Sequence, residues 1–112
     1  MLKKNQRITK KREFDLIFKK GKSAYSPLLG VKSLLNSLTL NRYGLIVSNK
    51  VSKRANVRNS IRRKLRTLLF KLDSNIFIKN DIIIIVSPAA KNITSADMEK
   101  QLSVLFKKNK LI

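Results

Sequence analysis

Hydrophobic positions along the chain alternate between helical spacing and short apolar runs. Phe14, Ile17 and Phe18 recur at i, i+3 and i+4, which predicts a short helix running to Lys20, opened by Thr9 as N-cap and closed by Gly21. After Ser26-Pro27, the stretch Leu28 to Leu35 has the length and apolar content of a strand. Arg42 to Ser48 has the same character, and Asn36 to Asn41 reads as the turn between them, so an antiparallel hairpin is expected. Val57, Ile61, Leu65, Leu68 and Leu72 fall on one helical face and predict a helix from about Asn56 to Leu72. The loop Asn75 to Asn80 brings two side chains expected to be buried, Ile76 and Phe77.

The run Ile82-Ile83-Ile84-Ile85-Val86, ended by Ser87-Pro88, has no polar alternation and predicts a strand covered on both faces. Thr94 then opens a last helix. Asp97 stands at capping-box distance, and Ile93 and Met98 are placed as a hydrophobic staple. Met98, Leu102, Leu105 and Phe106 supply its buried stripe, and Lys107, Lys108 and Lys110 complement the dipole at its end. The order is helix, two strands with room for a third, helix, strand, helix. That is an α+β or α/β domain with a small sheet, one side covered by helices. At 112 residues the chain suits a single domain, 1–112, in which residues 1–8 form a basic, flexible arm.

Charge changes the picture most. Lys and Arg total 26 against 6 acidic residues, a formal net charge of +20. Such self-repulsion is relieved by a polyanion, and nucleic acid is the commonest. The chain has neither Cys nor His, which excludes disulfides, thiolate metal sites and imidazole chemistry. Glu13, Asp15, Asp73, Asp81, Asp97 and Glu99 are too few and too scattered to build the carboxylate cluster of a metal-dependent nuclease. No segment approaches the ~20 apolar residues of a membrane span, and no signal-peptide run follows the basic start, so a cytoplasmic protein without a membrane role is expected.

The passage Arg58-Asn59-Ser60-Ile61-Arg62-Arg63-Lys64-Leu65-Arg66 concentrates this charge. Arg58, Arg62 and Arg66 form one stripe with Asn59 and Arg63 beside it, about 130° round the helix from the apolar face. Lys50, Lys53 and Arg54 extend the charge into the preceding loop. An isolated stripe of this kind is ordinarily a solvated face. In a chain so short of acid, it reads as a row of guanidinium forks for phosphates.

Three blocks of the chain are familiar together. They are Leu2-Lys3-Lys4-Asn5-Gln6-Arg7-Ile8 followed by Glu13 to Lys22; Gly44 to Lys50 leading through Lys53-Arg54-Ala55 to Arg58-Asn59-Ser60-Ile61-Arg62-Arg63; and Asp81 to Pro88 with the helix ending Leu105-Phe106-Lys107-Lys108. In this order they resemble the protein subunit of bacterial ribonuclease P, along nearly the whole chain. The middle block corresponds to that family's "RNR" signature, with Ser60 in place of its final Arg, and Lys32 stands where relatives often carry an aromatic.

The resemblance implies an αβββαβα sandwich like a domain of ribosomal protein S5, with a left-handed βαβ crossover. It implies a ribonucleoprotein endonuclease that removes the 5′ leader from precursor tRNA, with hydrolysis by the RNA subunit using Mg²⁺ held mainly by RNA. The partners implied are the catalytic RNA and precursor tRNA, with one protein per RNA. Lys50, Lys53, Arg54, Arg58, Asn59, Arg62, Arg63 and Arg66 would dock on the catalytic RNA. Phe14, Phe18 and Lys32 would line a cleft for the single-stranded leader. The charge alone also fits a ribosomal or other RNA-scaffold protein, and less well a stand-alone nuclease or a cationic membrane-surface protein.

Overall fold

The isoleucine run is the centre of the sheet, and the other elements are arranged by the need to cover it. The computed structural model describes residues 2–112. Among them the order is α1 (Lys11–Lys20), β1 (Lys22–Tyr25), β2 (Leu29–Leu35), β3 (Arg42–Ile46), α2 (Ala55–Asp73), β4 (Asn80–Val86) and α3 (Ser95–Lys108). This is the αβββαβα order that the resemblance implies. The four strands lie in the order β1-β2-β4-β3, with β1/β2 and β2/β4 antiparallel and β3/β4 parallel. Helix α2 is thus the crossover between two adjacent parallel strands.

Ile82, Ile83 and Ile84 are fully buried, which a strand with one wet face could not achieve. Ile82, Ile84 and Val86 join Val31 and Tyr43 in the large core, closed by Ile61, Leu65, Leu69, Leu102 and Phe106 of α2 and α3. Ile83 instead packs with Ile17 of α1 and Ile8, flanked by Phe14, Leu34, Ile46 and Ile85. The helices therefore cover both faces of the sheet, not one side as the element order alone implied. Arg42 fastens the smaller layer: it holds Asp81 of β4 through Nε at 2.8 Å and Nη2 at 2.6 Å, and Glu13 of α1 through Nη1 at 2.8 Å. This pairing, Asp81 first and then Glu13, raises the Arg42 pKa against the opposing effect of burial.

Four local expectations are corrected. The strands at Leu29–Leu35 and Arg42–Ile46 are not hairpin partners, because β4 lies between them. Its two apolar faces and two open edges require a neighbour on each side, and the turn held by Asn36 (Nδ2 to Leu40 O, 3.0 Å, and to Asp81 Oδ1, 2.9 Å) carries the chain past it. The hairpin is β1/β2 instead. Lys10, not Thr9, precedes α1, since Ile8 is still bonded to Tyr43 O at 2.8 Å. Phe77 is 83% exposed, while its neighbour Ile76 is buried. Thr94 does cap α3, accepting from Asp97 N at 3.1 Å.

The N-terminal segment is the fourth correction. Met1 lies outside the described residues, but Leu2, Gln6 and Ile8 are buried and Arg7 bridges Tyr43 at the β3 edge, so residues 2–8 are laid along the sheet rather than standing off it. Gln6 donates to Asn41 O (3.2 Å) and Asp73 Oδ2 (3.4 Å), and Asp73 Oδ1 also accepts from Asn41 Nδ2 (3.0 Å) and the Tyr43 hydroxyl. Burial, and then the Asp73 carboxylate, raise the Tyr43 pKa and keep it a donor. No helix among the described residues is long and apolar enough to cross a membrane.

Ile84→Ala should lower unfolding free energy in urea by about 2–5 kcal/mol, as a fully enclosed aliphatic truncation does. Phe70→Ala, on the outer side of α2 and 54% exposed, should stay within about 0.5 kcal/mol of the parent.

Candidate nucleic-acid interface

Helix α2 begins in an unusual way for a stable helix. Its N-cap is Arg54, with no side-chain cap bond and no acidic residue in the first turn. The first amides and the positive end of the helix dipole face Lys53 and Arg54, an arrangement that disfavours the free helix and favours an anion. Lys50, Lys53, Arg54, Asn59 and Arg63 are exposed around it. Between Ala55 and Leu72 the helix carries no carboxylate.

Two of the stripe's guanidiniums are aimed by backbone. Arg58 Nη1 donates to Ser52 O at 2.9 Å, and Arg62 donates to Asn59 Oδ1 at 2.9 Å and to Val47 O at 3.3 Å. Arg62 and Arg66 meet Arg7 around a hollow of about 230 Å³, whose remaining lining includes Leu2, Ile8, Thr9, Tyr43 and Leu45. Among the described residues no acidic side chain lines it. Partial burial, and then the positive charges of Arg7 and Arg62, lower the Arg66 pKa. Three cations converging without a counter-ion are costly until a phosphate oxygen arrives between them. Sequence reasoning missed Arg7, since only the packing of residues 2–8 against β3 brings it to α2.

The second region lies on the other face of the sheet, beside α1. Lys32 Nζ sits 5.4 Å from the Phe18 ring centre and 5.8 Å from that of Tyr25, and donates to Ser23 Oγ at 2.8 Å. Phe18 is 41% and Tyr25 56% exposed. The fold thus gathers Phe18 and Lys32, as the resemblance implies, and adds Tyr25. It places Phe14 apart from them: half-buried under α1, with its ring against Gly44. Tyr25 went unnoticed because Lys22–Tyr25 is too short to register as a strand. Its pairing with Gly30 across the hairpin, next to Lys32, sets it in place.

Both glycines exist for ring contact. A Cβ on Gly30 would stand 2.7 Å from the Tyr25 ring, and one on Gly44 2.7 Å from the Phe14 ring. An edge of each ring comes close to the sheet because the strand beneath it has no side chain.

With this geometry in place, comparison with known proteins is informative. The sequence matches the family model described as Ribonuclease P over residues 2–110. This chain belongs to the ribonuclease P protein family. It is 31% identical to the ribonuclease P protein component of Alkaliphilus metalliredigens over 99% of both chains. It is 32% identical to that of Syntrophomonas wolfei, over 96% of this chain and 90% of the relative. Among solved structures, it is similar to a Staphylococcus aureus RNase P protein mutant with defective mRNA degradation activity, with TM-score 0.89 and 33% identity over 97% of this chain and 92% of the other. The RNase P protein of Thermotoga maritima gives TM-score 0.80 at 25% identity, over 90% and 96%. Membership of this family is consistent with a subunit role in processing the 5′ leader of tRNA, and it implies partnership with the ribonuclease P RNA.

Gly30→Ala should fold with a cost below about 1 kcal/mol, because the exposed Tyr25 ring can swing outward, and proton NMR should record loss of the ring-current shift on residue 30. Gly44→Ala should cost more, about 1–3 kcal/mol in urea unfolding, since Phe14 is held between α1 and the sheet.

Proposed function

We propose that this ribonuclease P protein clamps two RNAs with opposite faces of one sheet and leaves phosphodiester hydrolysis to the RNA subunit. The observation that carries the reading is the separation of an acid-free arginine face, centred on Arg7, Arg62 and Arg66, from an exposed aromatic pair bridged by Lys32. Lys50, Lys53, Arg54, Arg58, Asn59, Arg62, Arg63 and Arg66 dock on the catalytic RNA. Arg suits that task because its planar fork bridges phosphate oxygens and stacks on bases. The N-terminus of α2 offers amides to the same backbone. Ser60 removes one cation from the signature, and Arg7 supplies one from a different segment.

Phe18, Lys32 and Tyr25 hold the single-stranded leader of precursor tRNA. Stacking on an aromatic face tolerates any base, which suits leaders of varied sequence, and the ammonium between the rings meets the phosphates. Where relatives often carry an aromatic, this chain has Lys32, and Tyr25 on the neighbouring strand restores the lost ring. Phe14, away from them over β3, acts by holding α1 on the sheet.

Divalent metal does not suit this chain's own donors. Among the described residues no three of His, Cys, Asp and Glu come together, and Glu13 and Asp81 are both engaged by Arg42. On this reading Mg²⁺ is held mainly by the RNA and the substrate. The protein's contribution is to screen two polyanions and fix their approach, with one protein per RNA, in the cytoplasm.

Arg62→Ala combined with Arg66→Ala should weaken binding to the catalytic RNA and flatten its logarithmic salt dependence by about 0.7–0.9 per lost phosphate contact. An unchanged slope would remove the arginine face from the interface. Phe18→Ala and Tyr25→Ala should each weaken leader-bearing precursor by about 1–3 kcal/mol and leave mature tRNA unaffected. Equal loss for both tRNA forms would refute the cleft. Reconstitution with the catalytic RNA at low magnesium separates this reading from a general RNA scaffold, which would restore no cleavage, and from a nuclease active without RNA.

A further inference from the structure

Interior-type side chains stand in water at the end of the molecule beyond the C-terminus of α2. Phe77 is 83% exposed, Ile78 72%, Leu35 65% and Ile112 38%. They come from three segments, the end of β2, the loop after α2 and the residues after α3, and they surround a hollow of about 480 Å³. Single exposed apolar residues are ordinary, but several converging on one concavity are not.

The hollow is built into the fold. Lys110 adopts a left-handed conformation (φ 59°), and Leu111 N bonds back to Phe106 O at 2.8 Å, so the chain turns at the end of α3 and Leu111 is buried. Ile76, fully enclosed, anchors the facing loop and leaves Phe77 and Ile78 outward. Lys22 and Lys110 stand on the lining, and among the described residues no Asp or Glu side chain does.

We propose that this hollow docks a short amphipathic segment of another protein, presenting aliphatic or aromatic anchors flanked by carboxylates. Charge decides the occupant. A second copy meeting the same patch would set Lys22 and Lys110 against their own images in a chain of net charge +20, whereas acidic flanks complement them. Leu35, Ile78, Leu111 and Ile112 outnumber the one ring, Phe77, so the lining suits aliphatic and aromatic side-chain anchors more than a run of stacked bases. The site also stays open in the ribonucleoprotein as read above. The leader cleft is on the opposite face of the sheet, and the last two turns of α2, from Arg66 to Asp73, put about 10 Å of helix between the arginine hollow and this one.

The test is selection of a random peptide library displayed on phage against the full chain loaded on its catalytic RNA. Affinities of the selected peptides are then compared between the parent and the double variant Phe77→Ser with Ile78→Ser. Both positions are exposed, so the variant should keep its thermal midpoint and its RNA affinity. Leu35→Ser, from a separate segment, guards against a local folding defect. Enriched peptides should combine apolar anchors with Asp or Glu and lose about tenfold or more in affinity on both variants, a loss of about 1.4 kcal/mol. No enrichment, enrichment of basic peptides, or equal affinity for parent and variants would overturn the proposal. So would self-association by sedimentation that the double variant abolishes, which makes the occupant a second copy. A photocrosslink from position 77 to the RNA would overturn it too.

Discussion

Strand β4 has no face to give to water, and that constraint organises the protein. Five consecutive β-branched residues must be covered above and below, and their two edges must both be paired. One helix is drawn to one face and two to the other. Because the sheet is covered on both sides, its two faces acquire different neighbours: the arginine stripe of α2 borders one, and the rings beside α1 border the other. Two separate surfaces on so small a domain, one rich in arginine and one aromatic, follow from this two-sided burial.

The few carboxylates are placed with equal consequence. Glu13 and Asp81 share Arg42, Asp15 pairs with Lys11, Glu99 with Lys71, and Asp73 accepts from Tyr43 and Asn41. Asp97 stands in the first turn of α3. All of them serve local structure away from the Arg58–Arg66 stripe. The positive field there is left undiluted by these carboxylates.

Helix α2 was legible because its apolar residues face one way and its charges another, so period alone separates them. The same holds for β4, whose lack of alternation is itself the signal. The strand pairing was not legible: Leu28–Leu35 and Arg42–Ser48 look like hairpin partners until β4, far away in sequence, claims the place between them. Phe77 was misplaced because a loop carries no periodicity to say which of two adjacent apolar residues turns inward. Of the basic site, the stripe on α2 was visible, while Arg7 was not, since its approach to Arg66 depends on the burial of Leu2 and Ile8 against the sheet. Tyr25 likewise depends on a strand of four residues and a glycine opposite it. The family resemblance supplied what periodicity could not, namely the third strand and the expectation that the basic helix docks on RNA.

The way the two ends of the described chain are packed has a practical corollary. Leu2 lines the arginine hollow, and Ile112 lines the apolar one. A purification tag fused ahead of the first would lie across the guanidinium surface, and one fused after the second would shade the aromatic-rimmed recess. Neither terminus is a neutral attachment point, so labels for binding work belong on the outer side of α3, at a position such as Lys100, where a dye disturbs neither surface.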